Sequence, residues 1–136
     1  MKGRVAVGGA AGPASVIFTS DALSLWGGFD PATGLVIDTH HPLRGLSLSG
    51  RIVVMPAGRG SSTSSAILLE SVRAGTAPAG FMFRRLDPIF AIGSLVAEKL
   101  YGRAVPIVIV EDEGAFSALA AASEASWDTD GFISVR

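Results

Sequence analysis

Glycine and proline interrupt the first half of the chain so often that every apolar segment there is short. Short apolar runs between turn residues are typical of β-strands. The pattern predicts strands at residues 4–7, 14–18, 35–38 and 51–55, and the last of these, RIVVM, is the clearest. No segment approaches the roughly 20 consecutive apolar residues of a membrane helix, so we expect no membrane span.

The second half of the chain predicts helices as well as strands. In residues 61–74, Ala66, Leu69 and Val72 recur at helical spacing, and Gly75 follows as a C-terminal cap. A second helix is predicted for residues 88–100, whose apolar side chains also recur at helical spacing. These are Ile89, Ile92, Val96 and Leu100.

The remaining segments complete an alternation of strands and helices. Residues 79–83 and 106–110 predict strands, and the latter, PIVIV, is typical of a strand buried on both faces. Residues 114–123 are rich in Ala and predict a helix, and 132–135 predict an edge strand. The order indicates an α/β fold with a β-rich N-terminal half and helices in the C-terminal half, covering part of a sheet or open barrel. We expect residues 1–136 to form a single domain.

The composition excludes several kinds of function. The chain has no Cys, so it can form no disulfide, no thiolate nucleophile and no thiolate-bound iron–sulfur cluster of its own. Its net charge of −1 excludes a strongly basic nucleic-acid surface. The N-terminal segment MKGRVAVGGAAGP has no continuous apolar core of a signal peptide, so we expect a cytoplasmic protein.

Charged residues make up 17% of the chain, against about 25% in an average globular protein. The mean hydropathy is high as well, at +0.47. An apolar, charge-poor chain without a membrane span favours a surface that is covered by a partner protein. The alternative is a small protein with an unusually large core.

The segment that best supports chemistry is RIVVMPAGRGSSTSSAILL, residues 51–69. It predicts a buried strand, a Gly-containing loop, a cluster of Ser and Thr, and then a helix. Backbone N–H groups and the macrodipole at a helix start attract anions. Gly60 permits close approach of a ligand, and Arg59 can bind a carboxylate or phosphate. A Ser here could act as a nucleophile or base, whereas the alternative is a well-capped turn.

Two other polar clusters carry weaker predictions. Asp30, Asp38, His40 and His41 are residue types that bind metals, but neighbouring strand residues point to opposite faces, which favours a turn role. In the second cluster, Arg84, Arg85 and Asp87 precede the second predicted helix. Asp87 is suited to cap it, and the favoured interpretation of this cluster is a solvated helix entrance.

The chain resembles the aconitase X swivel-domain family over about residues 3–110. The resemblance rests on WGGFDP, DTHHPL, GRGSS, VRAGTAP and DPI in this order and at these spacings. It implies the swivelling β/β/α domain of aconitase-like enzymes. It also implies a small subunit that is active only with a large subunit, which would carry an iron–sulfur cluster on its own cysteines.

The implied reaction is a dehydration, in which a proton leaves carbon and a hydroxyl leaves with help from the metal as Lewis acid. The resemblance assigns the catalytic base to Ser61, and Ser62 could share that role or bind the substrate carboxylate. We expect Arg59, Gly60, Ser62 and Thr63 to bind the substrate, and no metal to bind to this chain.

Members of the family act on cis-3-hydroxy-L-proline or on phosphomevalonate. The GRGSSTSS loop and the Trp of WGGFDP favour the first substrate over the second. A different class of function, a non-catalytic module that binds anions at the Ser-rich helix start, remains an alternative.

Overall fold

A computed structural model describes residues 1–58 and 62–136. Three residues of the predicted site, Arg59, Gly60 and Ser61, therefore lie outside the described residues. Nine strands are present in the part of the chain that the structure describes: β1 (Arg4–Val7), β2 (Ala11–Phe18), β3 (Phe29–Asp30), β4 (Leu35–Val36), β5 (Ile52–Val54), β6 (Gly80–Phe83), β7 (Ile107–Ile109), β8 (Glu124–Trp127) and β9 (Ile133–Val135). The helices there are α1 (Thr63–Ala74), α2 (Pro88–Tyr101) and α3 (Glu113–Ala118), the last followed by a 3-10 turn at Leu119–Ala121.

Seven strands form one sheet in the order β1-β7-β6-β5-β2-β8-β9, while β3 and β4 pair separately. The four central strands, β2, β5, β6 and β7, are parallel, and β1, β8 and β9 pair antiparallel at the two sides. The sheet is curled, as a backbone β-bridge between Lys2, before β1, and Phe132, before β9, shows. The Gly3 N–H also donates to the Gly131 carbonyl at 2.8 Å. The two edges of the sheet therefore meet at one end, and the architecture is mixed α/β, as predicted.

The hydrophobic core lies on both faces of this sheet, because successive strand residues point to opposite sides. On one face, Phe81 and Phe83 of β6 pack against Phe90 of α2 with ring centroids 5.2–5.4 Å apart. On the other face, Met82 joins Phe116 of α3 and other buried side chains in a second cluster. The PIVIV strand is buried at every residue of β7, which confirms the prediction for that segment.

Helix α2 begins where the sequence predicts and extends one residue further than predicted, to Tyr101. The Asp87 carboxylate accepts from the Ile89 N–H at 2.9 Å, Pro88 stands in the first turn, and Gly102 closes the helix with φ 70°. The apolar residues whose spacing predicted α2 are mostly on its outer side, since Ile92, Val96 and Leu100 are all exposed. Smaller side chains and one aromatic ring make its buried side: Phe90, Gly93, Ser94 and Ala97.

Some predicted elements differ from the observed ones. Of the face predicted for α1, Val72 is buried and Leu69 half-buried, but Ala66 is exposed, and the buried set includes Ser64 and Leu68. The predicted helix over 114–123 is a short α-helix that passes into a 3-10 turn. Strand β8 follows that turn, in a segment for which the sequence predicted no strand.

Candidate functional site

The candidate site lies at the carboxyl edge of the parallel strands, in the loop between β5 and α1. Pro56 begins this loop, and its carbonyl accepts from the N–H groups of Arg84 at 3.0 Å and Arg85 at 3.3 Å. The loops that follow β5 and β6 are therefore joined by backbone hydrogen bonds. This connection fixes the direction in which the chain leaves β5 toward residues 59–61.

Gly58 marks a close approach in this loop. It forms a parallel bridge to Leu23, so the chain here lies against the segment that follows β2. A Cβ atom at Gly58 would collide with the Asp87 carboxylate and with the ring of Phe90. Only glycine fits this position, because both neighbours belong to the capped and packed start of α2.

The first turn of α1 carries the predicted residues Ser62 and Thr63, and both are exposed. Ser62 is the N-cap residue, but its backbone is already helical (φ −57°, ψ −23°) and its side chain makes no capping hydrogen bond. The Ser62 carbonyl instead accepts from the Ser65 hydroxyl at 2.9 Å. The first turn contains no acidic residue, so the positive end of the α1 dipole is not neutralised by a carboxylate on that turn.

Ser64 has a structural role in the same turn. It is 1% exposed, and its hydroxyl oxygen accepts from the Trp26 backbone N–H at 3.3 Å. This bond holds the WGGFDP segment against the start of α1. The Trp26 side chain remains 58% exposed beside the turn. The Ser cluster therefore divides into Ser64, which bonds to the distant Trp26 backbone, Ser65, which bonds within its own turn, and the exposed Ser62.

The polar cluster of residues 30–41 forms turns. Asp30 accepts from the Ala32 N–H and from the Thr33 hydroxyl, both at 3.0 Å. His41 is buried, with Nδ1 accepting from the Leu43 N–H at 3.1 Å and Nε2 lying 3.1 Å from the Asp21 carbonyl. Both ring nitrogens are thus occupied by the backbone. Within residues 1–58 and 62–136, no three His, Asp or Glu side chains form a possible metal centre.

One ion pair on α1 shifts a pKa. The Arg73 guanidinium donates to the Glu70 carboxylate and lowers the pKa of that carboxyl, chiefly through the hydrogen bonds. Both side chains are largely exposed and lie in the later turns of the helix. This pair therefore takes no part in the candidate site.

The sequence interpretation missed Arg84 and Arg85 as lining residues of a cleft. Asp87 does cap α2, but Arg84 is half-buried rather than solvated, and its Nη2 donates to the Glu111 carbonyl at 3.0 Å. Both arginines line a cavity at the carboxyl edge of the sheet. The sequence feature that indicates this role is the position of both arginines directly after the buried strand β6, because side chains that follow parallel strands meet at one edge of the sheet.

None of the helices among the described residues is long and apolar enough to cross a membrane. The described residues form a curled α/β fold, in which the Ser- and Thr-bearing start of α1 lies at the carboxyl edge of the parallel strands. The sequence model of the aconitase X swivel domain matches residues 1–135. The chain therefore belongs to the aconitase X swivel-domain family.

The relatives and the solved structure that the chain resembles agree with this family assignment. The chain is 47% identical to a cis-3-hydroxy-L-proline dehydratase of Pseudomonas aeruginosa over 82% of this chain and 19% of that protein. It is 45% identical to the phosphomevalonate dehydratase small subunit of Methanopyrus kandleri over 62% of this chain and 63% of that one. A crystal structure of Thermococcus kodakaraensis aconitase X superposes with a TM-score of 0.83 at 28% identity, covering 99% of this chain and 96% of that chain.

The chain spans about a fifth of the length of the cis-3-hydroxy-L-proline dehydratases that it matches, 19% in one and 17% in the other. The similarity thus concerns one part of a larger enzyme in those relatives. The likeness to the solved structure extends over the whole described fold, which agrees with the predicted swivelling β/β/α architecture.

Proposed function

We propose that this chain is the small part of an aconitase X-type hydro-lyase and supplies a serine base to a larger catalytic part. The observation that carries the proposal is the N-cap residue of α1, Ser62, which is exposed at the carboxyl edge of the sheet and makes no side-chain capping bond. Family membership supports the same location, because the GRGSS segment that contributes to the resemblance spans residues 58–62.

The proposed step removes a proton from the carbon next to the substrate carboxylate. The Ser alkoxide takes this proton, and the electron pair of the C–H bond forms a C=C bond. The neighbouring C–O bond breaks with its electron pair on oxygen, and the departing hydroxide takes one proton from solvent and leaves as water. The serine then loses the abstracted proton to solvent, so the reaction conserves protons. Ser61 is the first candidate for the base, and Ser62, whose side chain is exposed, is the second.

A serine hydroxyl is ordinarily a weak base, so its alkoxide needs stabilisation. The positive end of the α1 dipole provides part of it, and no carboxylate in the first turn of α1 opposes this effect. We assign a second contribution to the guanidinium of Arg59. Gly60, Ser62 and Thr63 complete the proposed substrate-binding residues, since backbone N–H groups and hydroxyls can donate to a carboxylate.

The residues of this chain do not fit an iron–sulfur cluster. The sequence has no Cys, and the described residues bring together no His, Asp and Glu set that could replace thiolates. We therefore assign the cluster to the larger part of the enzyme. The proton transfer derived above involves this chain's own residues and does not pass through that cluster.

The outer face of α2 supports the proposal of a large partner. Ile92, Leu95, Val96 and Leu100 are each 38–61% exposed on this face. Trp26 adds an exposed aromatic side chain next to the first turn of α1. Contiguous exposed apolar side chains of this kind mark protein interaction sites. We propose that the larger part of the enzyme covers this face.

The preferred substrate is cis-3-hydroxy-L-proline, and the alternative is phosphomevalonate. The 47% identity to the Pseudomonas aeruginosa dehydratase over 113 residues favours the first. The 45% identity to the Methanopyrus kandleri subunit over 85 residues keeps the second open. In a different class, a non-catalytic anion-binding module would use the same helix start without a reaction.

Reconstitution tests this proposal. The chain is mixed with the large aconitase X polypeptide from the same genome, and water elimination from each of the two substrates is followed. We expect turnover of cis-3-hydroxy-L-proline by the mixture and none by either component alone. Activity with phosphomevalonate alone would contradict the preferred substrate and support the alternative one. No activity of the mixture on either substrate, together with tight carboxylate binding by the isolated chain, would favour the anion-binding module.

A further inference from the structure

A polar cleft lies at the carboxyl edge of the sheet, beside the loop that leads to α1. Its volume is about 390 Å³. The walls include Phe18, Pro56, Arg84, Arg85, Glu113 and Phe116. Most of these residues end or follow parallel strands of the sheet. Ligands of open α/β sheets bind in crevices outside the carboxyl ends of the strands, so this is a position where a ligand is expected.

Arg84 brings a partly buried positive charge to this cleft. Its Nη2 is fixed by the Glu111 carbonyl at 3.0 Å. Its Nε is buried and has no hydrogen-bond partner among the described residues. The contact with the segment that follows β7 fixes the guanidinium of Arg84 at the wall of the cleft.

Arg85 adds a second guanidinium to the same cleft. Its backbone N–H is held by the Pro56 carbonyl at 3.3 Å, while its side chain is exposed. Within the described residues, the ion pairs involve other arginines, so no carboxylate neutralises Arg84 or Arg85. Two adjacent unneutralised guanidinium groups form a site that favours a carboxylate or phosphate.

The other side chains that line the cleft indicate which chemical groups, besides an oxyanion, the ligand can contain. The rings of Phe18 and Phe116 lie with centroids 5.5 Å apart and provide an apolar surface. Glu113 is the carboxylate among the lining residues, and it forms no ion pair with either arginine. It opposes a simple anion, but it can accept from an amine if the ligand is an amino acid.

We propose that this Arg84–Arg85 cleft binds the oxyanion of a small carboxylate or phosphate compound. The proposal goes beyond the function proposed above, because it needs neither Ser61 nor a reaction. The oxyanion can belong to an amino acid or to a phosphate compound. Glu113 distinguishes these two sources, since it attracts the amine of the first and repels the second.

The test is a titration of the isolated chain, followed by ¹H–¹⁵N NMR, with inorganic phosphate and with L-proline as probes. We expect saturable shifts of the Arg84, Arg85 and Glu113 amide signals with at least one probe. Arg85→Gln should weaken binding of that probe about tenfold, as expected for loss of a charged hydrogen bond. Arg84→Lys should weaken it as well, because lysine keeps the charge but lacks the planar guanidinium that can donate two parallel hydrogen bonds to an oxyanion. Arg44→Gln, an exposed arginine outside the cleft, is the matched control and should change nothing.

Glu113→Gln separates the two sources of the oxyanion. Tighter phosphate binding by this variant supports a phosphate ligand, and weaker L-proline binding supports an amino acid. The proposal is overturned if neither probe gives saturable shifts, or if Arg85→Gln and Arg44→Gln weaken binding equally. Thermal unfolding of each variant shows that the fold is retained. Dehydratase activity is measured separately, so failure here leaves the serine base untouched.

Discussion

Helices α1 and α2 lie side by side on one face of the sheet, but their first turns are built differently. Asp87 caps α2 with a side-chain hydrogen bond, and Pro88 occupies its first turn. The start of α1 lies in the Ser-rich segment, yet Ser62 makes no such capping bond and its first turn has no acidic residue. The comparison shows that α2 begins with a side-chain cap, whereas the Ser62 hydroxyl gives α1 no such cap.

The outer sides of the two helices differ as well. Helix α1 presents Ser, Ala and an Arg73–Glu70 ion pair to solvent. Helix α2 presents large aliphatic side chains, of which Leu100 is 61% exposed. We thus assign the proposed catalytic role to the N-terminal start of α1 and the proposed partner contact to the outer face of α2. Each assignment can be tested separately.

Among the variants that test binding and stability, the largest expected effect is on association. The double variant Ile92→Glu/Leu95→Glu places two charges on the outer face of α2. It should weaken binding to the large polypeptide at least about 100-fold, because desolvated apolar anchors dominate interface energies. The isolated chain should keep its stability, since both side chains are exposed there. Isothermal titration calorimetry measures the binding.

The matched control for this variant is Val135→Glu, which adds a charge at an exposed apolar residue of β9. It should leave association unchanged. Equal weakening by the control, or full binding by the α2 variant, would contradict the assignment of this face to the partner.

The next effect concerns the contact between the two helices. A Cβ atom at Gly93 of α2 would lie 2.9 Å from the Ser65 carbonyl oxygen of α1. Gly93→Val should therefore lower the free energy of unfolding by about 2 kcal/mol, as expected for overpacking of a tight contact. Chemical denaturation measures the loss. Gly114→Val in α3 is the control, because the atom nearest to a Cβ added at Gly114 is at an ordinary contact distance of 3.4 Å. A similar loss of stability in this control would contradict the assignment of the Gly93 effect to the tight contact between the helices.

The smallest effect compares the two helix starts directly. Asp87→Ala should lower the free energy of unfolding by about 1 kcal/mol through loss of the α2 cap. Ser62→Ala should leave it unchanged, because the Ser62 side chain makes no capping bond. The same denaturation experiment measures both variants. Equal losses would mean that the start of α1 is a structural cap like that of α2.

The sequence predicted those elements whose signals are local. The buried strand PIVIV, the cap at Asp87 and the C-terminal glycine of α1 all follow from neighbouring residues. Strand β8 was missed although Glu124–Trp127 alternates polar and apolar residues, because the segment is only four residues long and depends on pairing with distant β2.

The candidate site was predictable only in part for the same reason. Ser62 and Thr63 were identified from the local pattern, and the structure describes both at the start of α1. The role of Ser64 could not be predicted, because its partner Trp26 is 38 residues away. The Arg84–Arg85 cleft depends on the order of parallel strands, which local residues do not determine.

The central claim is that the base stands at the start of α1, and the most direct measurement is kcat of the reconstituted enzyme with Ser61→Ala. We expect a fall of about 10³-fold, within the range for loss of a general base, with assembly unchanged. Ser62→Ala tests the second candidate, and Ser134→Ala on exposed β9 is the control. Nearly full kcat in both Ser61→Ala and Ser62→Ala would contradict the account.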